Sequence, residues 1–125
     1  LDDEVWLVQE LAPLGSLRER LGRSPSALSD EAKRRILAQI AGGMAYLHGQ
    51  DVQHRNLKAS NILLASDMTA KISDFGLPRT VAALTGTETG RPWQESAPWA
   101  APEVLDRQGH VRESDVYGFG VVVWE

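Results

Sequence analysis

The chain has 125 residues, no cysteine, 24% charged and 42% hydrophobic residues, and a formal net charge of -4. These values are typical of one globular domain and exclude a multidomain arrangement within these residues. Acidic residues outnumber basic ones by 17 to 13, so no overall positive field favours nucleic acid or an anionic membrane as a partner. The lack of cysteine excludes disulfides, thiolate metal sites and a cysteine nucleophile, and makes the cytoplasm the default location.

Both ends of the sequence are typical of internal positions in a longer protein. No initiator Met is present, and Leu1 is followed by acidic residues where a secretory signal would carry basic ones. The most apolar run, residues 121–124, is far too short to span a bilayer and stops at Glu125 without a turn or cap signal. We therefore expect the chain to begin and end within a larger protein and to contain no membrane segment.

The first part of the chain predicts a strand followed by a short helix. An apolar run at residues 5–8, closed by proline and glycine, predicts a buried strand. Ser16 and Glu19 have capping-box spacing, which predicts a helix that ends by Gly22. Residues 23–28, with two serines around a proline, predict a loop.

The clearest helical pattern begins after Ser29, a plausible N-cap, and continues to His48. Its apolar stripe consists of Ile36, Leu37, Ile40, Ala41, Met44 and Leu47. Two i,i+4 ion pairs are expected near its start, Asp30 with Arg34 and Glu31 with Arg35. The glycine pair at residues 42–43 interrupts the helical pattern, which predicts the close approach of another backbone.

The second part of the chain alternates short elements and loops. Two short apolar runs, residues 62–64 and 70–72, predict strands around a turn. Residues 79–97 lack periodicity and predict a long loop, which in a compact domain is usually functional or disordered. Ser114 and the following aspartate predict the N-terminus of a final helix over residues 116–125. The elements together indicate an α+β fold.

Four short motifs follow one another in the second part of the chain. They are His54-Arg55-Asn56-Leu57-Lys58-Ala59-Ser60-Asn61, then Asp74-Phe75-Gly76, then Ala101-Pro102-Glu103, and last Ser114-Asp115-Val116-Tyr117-Gly118-Phe119-Gly120. Taken singly, each is ordinary loop chemistry, since polar residues next to glycine favour turns. Taken together and in this order, they resemble the motifs of eukaryotic protein kinases. The resemblance extends from Val5 to Glu125.

This resemblance implies a partial protein kinase domain over residues 1–125, mainly the helical C-lobe with short β-hairpin pieces. It would include the hinge, helices D and E, the catalytic loop, the activation segment and the start of helix F, without the N-lobe and the rest of the C-lobe. Lys58, two residues after Asn56, is typical of the serine/threonine type of catalytic loop. Trp99 and the motif around Asp115 are similar to the tyrosine-kinase-like group.

The resemblance also assigns the phosphate end of the site. It implies that Asn61 and Asp74 supply oxygen ligands for Mg²⁺, a hard cation that accepts amide and carboxylate oxygens and keeps some waters. Lys58 would lie against the transferred phosphate, braced by Ser96. The implied cofactors are therefore ATP and Mg²⁺, and the implied partners are a protein substrate or a regulatory protein.

Further residues take roles from the same resemblance. Gln9 resembles the gatekeeper, and Glu10, Leu11 and Ala12 resemble the hinge whose backbone meets adenine. Leu63 would form the apolar floor under the purine, with an ordinary core position as the alternative. Arg55, beside His54 in the catalytic loop, would pair with an acidic or phosphorylated loop. The remaining structural or regulatory residues are Phe75, Gly76, Glu103 and Asp115. The candidate phosphosites are Thr80, Thr85, Thr87 and Thr89, although a threonine in a loop is far more often only solvated.

Three positions depart from the family pattern. Asn56 stands where the family has its catalytic aspartate, and a carboxamide has no basic site that could take the proton of a substrate hydroxyl. General-base assistance is worth about 10²- to 10⁴-fold, so Asn56 predicts severe weakening of transfer. Pro78 removes a backbone donor in the activation segment, and Glu95 places bulk and negative charge near the substrate hydroxyl.

These observations leave three hypotheses open. The first is an ATP-dependent protein kinase domain that acts on Ser or Thr, with Tyr as the other acceptor, and is impaired by Asn56 and truncation. The second is a pseudokinase that serves as a nucleotide-binding switch or scaffold. The third is a nonfunctional kinase fragment, since no glycine-rich loop or strand lysine for the roof of an ATP site occurs in the sequence. Residues 121–124 would then expose an apolar surface that favours aggregation.

Overall fold

The computed structural model describes residues 8–24, 28–75, 94–106 and 108–125, and for residues 94–96 it describes the backbone only. Within these residues the elements are α1 (Leu17–Arg23), α2 (Asp30–Gly49), β1 (Ile62–Leu64), β2 (Ala70–Ile72), α3 (Pro102–Leu105) and α4 (Arg112–Trp124), with 3-10 helices at Ala59–Asn61 and Gln94–Trp99. The α+β prediction is confirmed. Across the described ranges, no α-helix is long and apolar enough to cross a membrane.

Helix α1 begins at the predicted capping box. The Ser16 hydroxyl accepts a hydrogen bond from the Glu19 N–H at 3.2 Å, and the Glu19 carboxylate accepts one from the Ser16 N–H at 2.9 Å. The helix continues to Arg23, so the loop begins one residue later than predicted. Of the predicted strand at residues 5–8, only the last residue lies within the described part. That residue, Val8, is 91% exposed and is not in a strand, so its predicted burial is wrong.

Helix α2 follows its predicted course, because the Ser29 hydroxyl accepts from the Ala32 N–H and the apolar stripe faces the core. Four stripe residues are buried: Ile36, Ile40, Met44 and Leu47. Ala41 is exposed, since it lies at the edge of the stripe. The predicted pairs with Arg34 and Arg35 do not form among the described residues, where the Asp30 carboxylate lies 3.8 Å from the Lys33 ammonium instead.

The glycine pair in α2 makes room for a side chain and not for a backbone. A Cβ atom on Gly43 would lie 2.7 Å from Cδ1 of Ile72 in β2, whereas a Cβ atom on Gly42 would meet nothing within 4 Å. Gly43 therefore lets the hairpin pack against α2. Gly42 has no packing role, and the predicted close backbone approach is wrong.

We expect alanine to stabilise the chain more at Gly42 than at Gly43. Gly42→Ala is expected to raise the free energy of unfolding by about 0.5–1 kcal/mol, because alanine loses less backbone entropy than glycine in a helix. Gly43→Ala gains the same propensity but requires the Cδ1 end of the Ile72 side chain to move, which offsets part or all of the gain. Urea unfolding of both variants tests this, and equal stabilisation by the two would contradict the packing role of Gly43.

The hairpin forms where it is predicted and positions the loop before it. Strands β1 and β2 are antiparallel, with Ile62 opposite Ile72 and Leu64 opposite Ala70. Ile62 and Leu64 are completely buried, and they join α1, α2 and Val122 of α4 in one core. An isolated bridge between Ser16 and β1 also ties the start of α1 to the hairpin. The residues just before β1 are thus held between α1, α2 and α4.

Helix α4 begins earlier than predicted, and its apolar face is arranged differently. Ser114 is its third residue, where the hydroxyl accepts from the Val111 N–H at 3.2 Å. Val122 is only 4% exposed and contributes to the core, so the prediction that residues 121–124 are all exposed is wrong there. The cause is helical periodicity, which turns Val122 inward while Trp124 remains 85% exposed. In the predicted loop over residues 79–97, the last four residues instead begin a 3-10 helix.

Candidate active site

The predicted catalytic loop, residues 54–61, is anchored at its start by one buried carboxylate. The side chain of Asp115 is 1% exposed, and its two oxygens accept from the His54 N–H and the Arg55 N–H, each at 2.8 Å. Arg55 has a φ of 69°, a left-handed conformation uncommon for a side-chain-bearing residue. Nε2 of His48 in α2 lies 2.8 Å from the same carboxylate. Asp115 therefore connects α2, α4 and the start of the loop.

The side chain of His54 points into the protein interior and not into solvent. The residue is completely buried, and its Nδ1 accepts from the Asn56 N–H at 3.3 Å. Burial lowers the pKa of His54 below its usual value, and the negative charge of Asp115 offsets part of this effect. A neutral, buried imidazole suits a structural role in shaping the loop around Asn56.

The loop and the hairpin meet at Asn61. The Asn61 amide nitrogen donates to the backbone carbonyl of Asn56 at 2.8 Å, which leaves the amide oxygen of Asn61 as an acceptor. The backbone carbonyl of Asn61 accepts from the N–H and the hydroxyl of Ser73, at 2.9 and 3.1 Å. Asp74, the next residue, is exposed and has a φ of 57°. These bonds place the peptide that carries Asp74 beside Asn61.

This donor set fits Mg²⁺ bound together with a nucleotide. Among the described residues, no group of three or more histidine or acidic side chains could hold a metal by itself. Mg²⁺ is usually held in phosphotransfer sites by one or two protein oxygens, with waters and substrate phosphates completing its octahedron. The Asn61 amide oxygen and the exposed Asp74 carboxylate are oxygen donors of this kind.

Lys58 lies next to an aromatic ring from the 3-10 helix Gln94–Trp99. Its ammonium nitrogen is 5.5 Å from the centroid of the Trp99 ring, within cation–π distance. The side chain of Ser96, predicted to brace Lys58, lies outside the described residues. A cation held over a rigid ring is restricted in position, as a phosphate-contacting lysine needs to be.

Glu125 is a central residue of the site that sequence reasoning assigned no role. Its side chain is 8% exposed and accepts from the Arg18 guanidinium at 2.9 Å, and from the Ala59 N–H and the Trp99 indole N–H at 3.0 Å each. One carboxylate thus connects α1, the catalytic loop and the segment of Trp99. The signal available in the sequence is an acidic residue directly after the apolar run of α4.

We expect Glu125→Ala to lower the free energy of unfolding by about 2–3 kcal/mol, because a buried donor left without a partner costs about 1–3 kcal/mol. The affected donors are the Ala59 amide and the Trp99 indole. Urea unfolding followed by circular dichroism measures the change. Glu113→Ala, at an exposed position on the same helix, is the control and is expected to cost less than about 1 kcal/mol. Equal effects would exclude this connecting role.

The segment after the activation region is also attached to α4. Glu103 in α3 accepts from the Ser114 hydroxyl at 2.5 Å, and this hydrogen bond lowers the pKa of Glu103. One turn further along α4, Gly118 lets the helix approach the catalytic loop closely, because an added Cβ atom would lie 3.3 Å from the backbone carbonyl oxygen of Leu57. α4 therefore contacts both the catalytic loop and α3.

The predicted adenine-binding residues lie along the middle of the hairpin and in the segment before α1. Glu10 is exposed, with its carboxylate 3.2 Å from the Lys71 ammonium of β2, and the carbonyl of Ala12 accepts from the Gly15 N–H. Leu63 is half-buried, whereas both of its neighbours in β1 are completely buried. Because side chains alternate along a strand, Leu63 faces away from the core. Leu63 is therefore not a core position, and its role as a floor under the purine stays a prediction.

The structure leaves several predicted positions undescribed. Phe75 is described and is 45% exposed. Lying outside the described residues are Gly76, Pro78, Thr80, Thr85, Thr87 and Thr89, and the side chains of Glu95 and Ser96. The Arg55 guanidinium donates to the Gln53 side chain at 3.3 Å, and no carboxylate contacts it among the described side chains.

An open groove lies beside Trp99 and Glu125. Its volume is about 630 Å³, and its walls include Pro98, Tyr117 and Trp124. Aromatic and apolar side chains therefore form most of its surface, and the Arg18–Glu125 ion pair lies at its edge. Its position next to Lys58 and Trp99 puts it near the catalytic loop.

Comparison with known proteins gives a consistent result. Residues 1–125 match the family model described as protein tyrosine and serine/threonine kinase. Serine/threonine/tyrosine-protein kinase HT1 of Arabidopsis thaliana is 38% identical over 120 residues, which cover 95% of this chain and 30% of that protein. Non-receptor tyrosine-protein kinase TNK1 of Homo sapiens is 41% identical over 128 residues, covering 100% of this chain and 19% of that protein. Inactive tyrosine-protein kinase kin-32 of Caenorhabditis elegans is 37% identical over 128 residues, which cover 100% of this chain and 14% of that protein. The chain thus spans less than a third of each of these relatives.

Proposed function

The chain belongs to the protein tyrosine and serine/threonine kinase family, and we propose that it carries the catalytic loop of a domain that binds Mg-ATP and phosphorylates Ser or Thr in proteins, with transfer weakened by Asn56. The observation that carries this proposal is the hydrogen bonding of the Asn61 backbone to Ser73, the residue before Asp74, and to the backbone carbonyl of Lys58. These backbone contacts support the assignment of Asn61 and Asp74 as oxygen donors for Mg²⁺ and of Lys58 as a cation for phosphate.

Phosphoryl transfer depends mainly on positioning and on neutralising charge, because its transition state is loose. Mg²⁺, when bound, would neutralise charge on the phosphates. Asn61 and Asp74 are the residues that would hold it, and Lys58 is suited to contact the transferred group. The hydrogen bonds from Ser73 and Asn61 fix the backbone that supports these side chains.

Asn56 decides how much of this chemistry remains. Its side-chain oxygen is buried and has no hydrogen-bond partner among the described residues. This oxygen would have to turn outward to accept a hydrogen bond from a substrate hydroxyl, and even then a carboxamide cannot take the proton. Loss of general-base assistance is worth about 10²- to 10⁴-fold in rate, so slow transfer is the expected activity.

A second candidate function is a nucleotide-binding switch or scaffold that acts through a regulatory protein. Asn56 favours it, because positioning without a base supports binding better than turnover. The relative kin-32, named inactive, supports the same reading. For either role, the groove beside Trp99 is a suitable contact for a polypeptide segment, since aromatic side chains are frequent in recognition sites.

Separate measurements of Mg-ATP binding and phosphate transfer test the proposal. Both are made on the longest natural protein that carries this chain, with Asp74→Asn as the variant and Asp106→Asn, at an exposed site, as the control. Binding with slow transfer, both reduced in Asp74→Asn only, is the expected result. Binding without transfer favours the switch, and the absence of binding in a cooperatively folded protein contradicts both functions.

A further inference from the structure

All three histidines of the chain are connected to one buried carboxylate. The backbone N–H of His54 donates to Asp115. The ring nitrogen Nε2 of His48 lies 2.8 Å from Oδ2 of Asp115, and Nε2 of His110 lies 3.5 Å from its Oδ1. His110 precedes α4, and its side chain is 15% exposed. The motifs and the proposed transfer chemistry make no use of His110.

His110 faces charged groups from three elements. Asp115 approaches it from α4, Glu103 from α3 and Arg55 from the catalytic loop. His48 of α2 lies across the Asp115 carboxylate and contacts its other oxygen. The Oδ1 atom that faces His110 is also the acceptor of the Arg55 N–H. His110 is therefore one side chain away from the backbone of the loop.

We propose that His110 is a positioning residue for the catalytic loop. Its ring holds the Asp115 carboxylate under the Arg55 amide, so the hydrogen bonds that anchor the loop to Asp115 depend on the protonation of this imidazole. This inference rests on the proposed function, since the loop that it positions is the proposed site of transfer. Its tests are read without nucleotide or turnover, so its failure and the failure of the proposed function can be distinguished.

The geometry explains the direction of the pH effect. Nδ1 of His110 is buried and has no partner among the described residues, so a second proton would leave a buried N–H without an acceptor. Burial, with a smaller contribution from the Arg55 charge, lowers the pKa of His110 despite the opposing charge of Asp115. The anchored state therefore prefers the neutral imidazole.

In an opened state, in which the loop is detached from Asp115 and His110 is solvated, the His110 imidazole has its ordinary pKa of about 6.5. The anchorage is then complete above pH 6.5, and it weakens as the pH falls from about 6.5 to the lowered pKa of the anchored state. Below that pKa both states carry the proton, and no further change from His110 is expected. Since burial lowers the pKa of His54 as well, the contribution of His110 must be isolated by comparison with a variant.

Amide hydrogen exchange of the loop between pH 5 and 8 provides the test. The readout is the protection of the His54 and Arg55 amides, corrected for intrinsic exchange, in the full chain and in His110→Phe. The ratio of wild-type to variant protection is expected to be constant above about pH 7 and to fall below 6.5 by up to about tenfold per pH unit, the effect of one linked proton. A ratio that does not change with pH would overturn the proposal, because a role in packing alone gives a constant factor.

A matched control and a measurement on the unmodified chain complete the design. Val111→Ala, at the exposed neighbouring residue, loosens packing without removing a titrating group and should give a ratio independent of pH. In an NMR titration of the wild type, the Arg55 amide resonance is expected to move with the same midpoint as the His110 ring, below 6.5. An Arg55 amide that does not follow the His110 midpoint would contradict the coupling even if His110→Phe fails to fold.

Discussion

Replacing Asp115 by alanine is expected to lower the free energy of unfolding by about 3–5 kcal/mol, the usual cost of removing one partner from a buried charged network. The carboxylate is 1% exposed and accepts from two backbone amides, those of His54 and Arg55, while His48 lies 2.8 Å away. Without it, the buried His54 amide and the partly buried Arg55 amide lose their acceptor, and the His48 and His110 rings lose their contact with the carboxylate. Urea unfolding followed by circular dichroism measures the loss.

Two further variants distinguish the charge from the hydrogen bonds. Asp115→Asn retains one acceptor oxygen, so we expect it to cost less than the alanine variant but more than about 1 kcal/mol. Asp106→Ala removes an exposed aspartate at the end of α3 and should change the free energy by no more than about 0.5 kcal/mol. If Asp115→Ala were as stable as Asp106→Ala, Asp115 would not be the anchor of the loop.

The elements that were predicted well are those in which neighbouring residues decide the structure. The capping box of Ser16 and Glu19 lies within one turn, and its two hydrogen bonds form as expected. The hairpin at 62–64 and 70–72 likewise follows from two apolar runs around a short turn, and its strands have the predicted bounds. In both cases the pattern of a few adjacent residues contains enough information.

The features that escaped prediction depend on contacts between distant residues. Asp115 reaches amides 60 and 61 positions earlier in the chain, and Glu125 reaches Arg18 across 107 positions. In the sequence, the motif marks Asp115 as structural or regulatory without showing its partners, and Glu125 looks only like the end of an apolar run. Likewise, Gly43 accommodates Ile72 of the distant hairpin, which a local pattern cannot distinguish from the open space at Gly42.

The roles of the site residues came mostly from the resemblance between motifs, and the structure adds what connects them. The motif alone does not say that Asn61 binds both the Asn56 carbonyl and the peptide before Asp74, or that Trp99 lies over Lys58. These contacts join the catalytic loop, the hairpin and the segment of Trp99 into one unit. Asn56 lies at the centre of this unit, which makes it the residue whose replacement is most informative.

Replacing Asn56 by aspartate is expected to raise the rate of phosphate transfer by about 10²- to 10⁴-fold, the usual contribution of a general base. The carboxylate keeps the acceptor oxygen and adds a site that can take the proton of the substrate hydroxyl. The same change places a charge where the existing oxygen is buried without a partner, so the free energy of unfolding should fall by about 1–3 kcal/mol. Transfer from labelled Mg-ATP and urea unfolding, both on the longest natural protein with this chain, measure the two effects.

The opposite signs of these effects make the test specific. Asn56→Ser removes the amide without supplying a base, so it should leave transfer as slow as in the wild type. Combining Asn56→Asp with Asp74→Asn should abolish the gain, because the restored base then acts beside a damaged metal site. If Asn56→Asp binds Mg-ATP and loses stability as expected but transfers no faster, the loop does not perform the chemistry in this protein. The retained oxygen donors at Asn61 and Asp74 would then serve nucleotide binding alone, as the switch function requires.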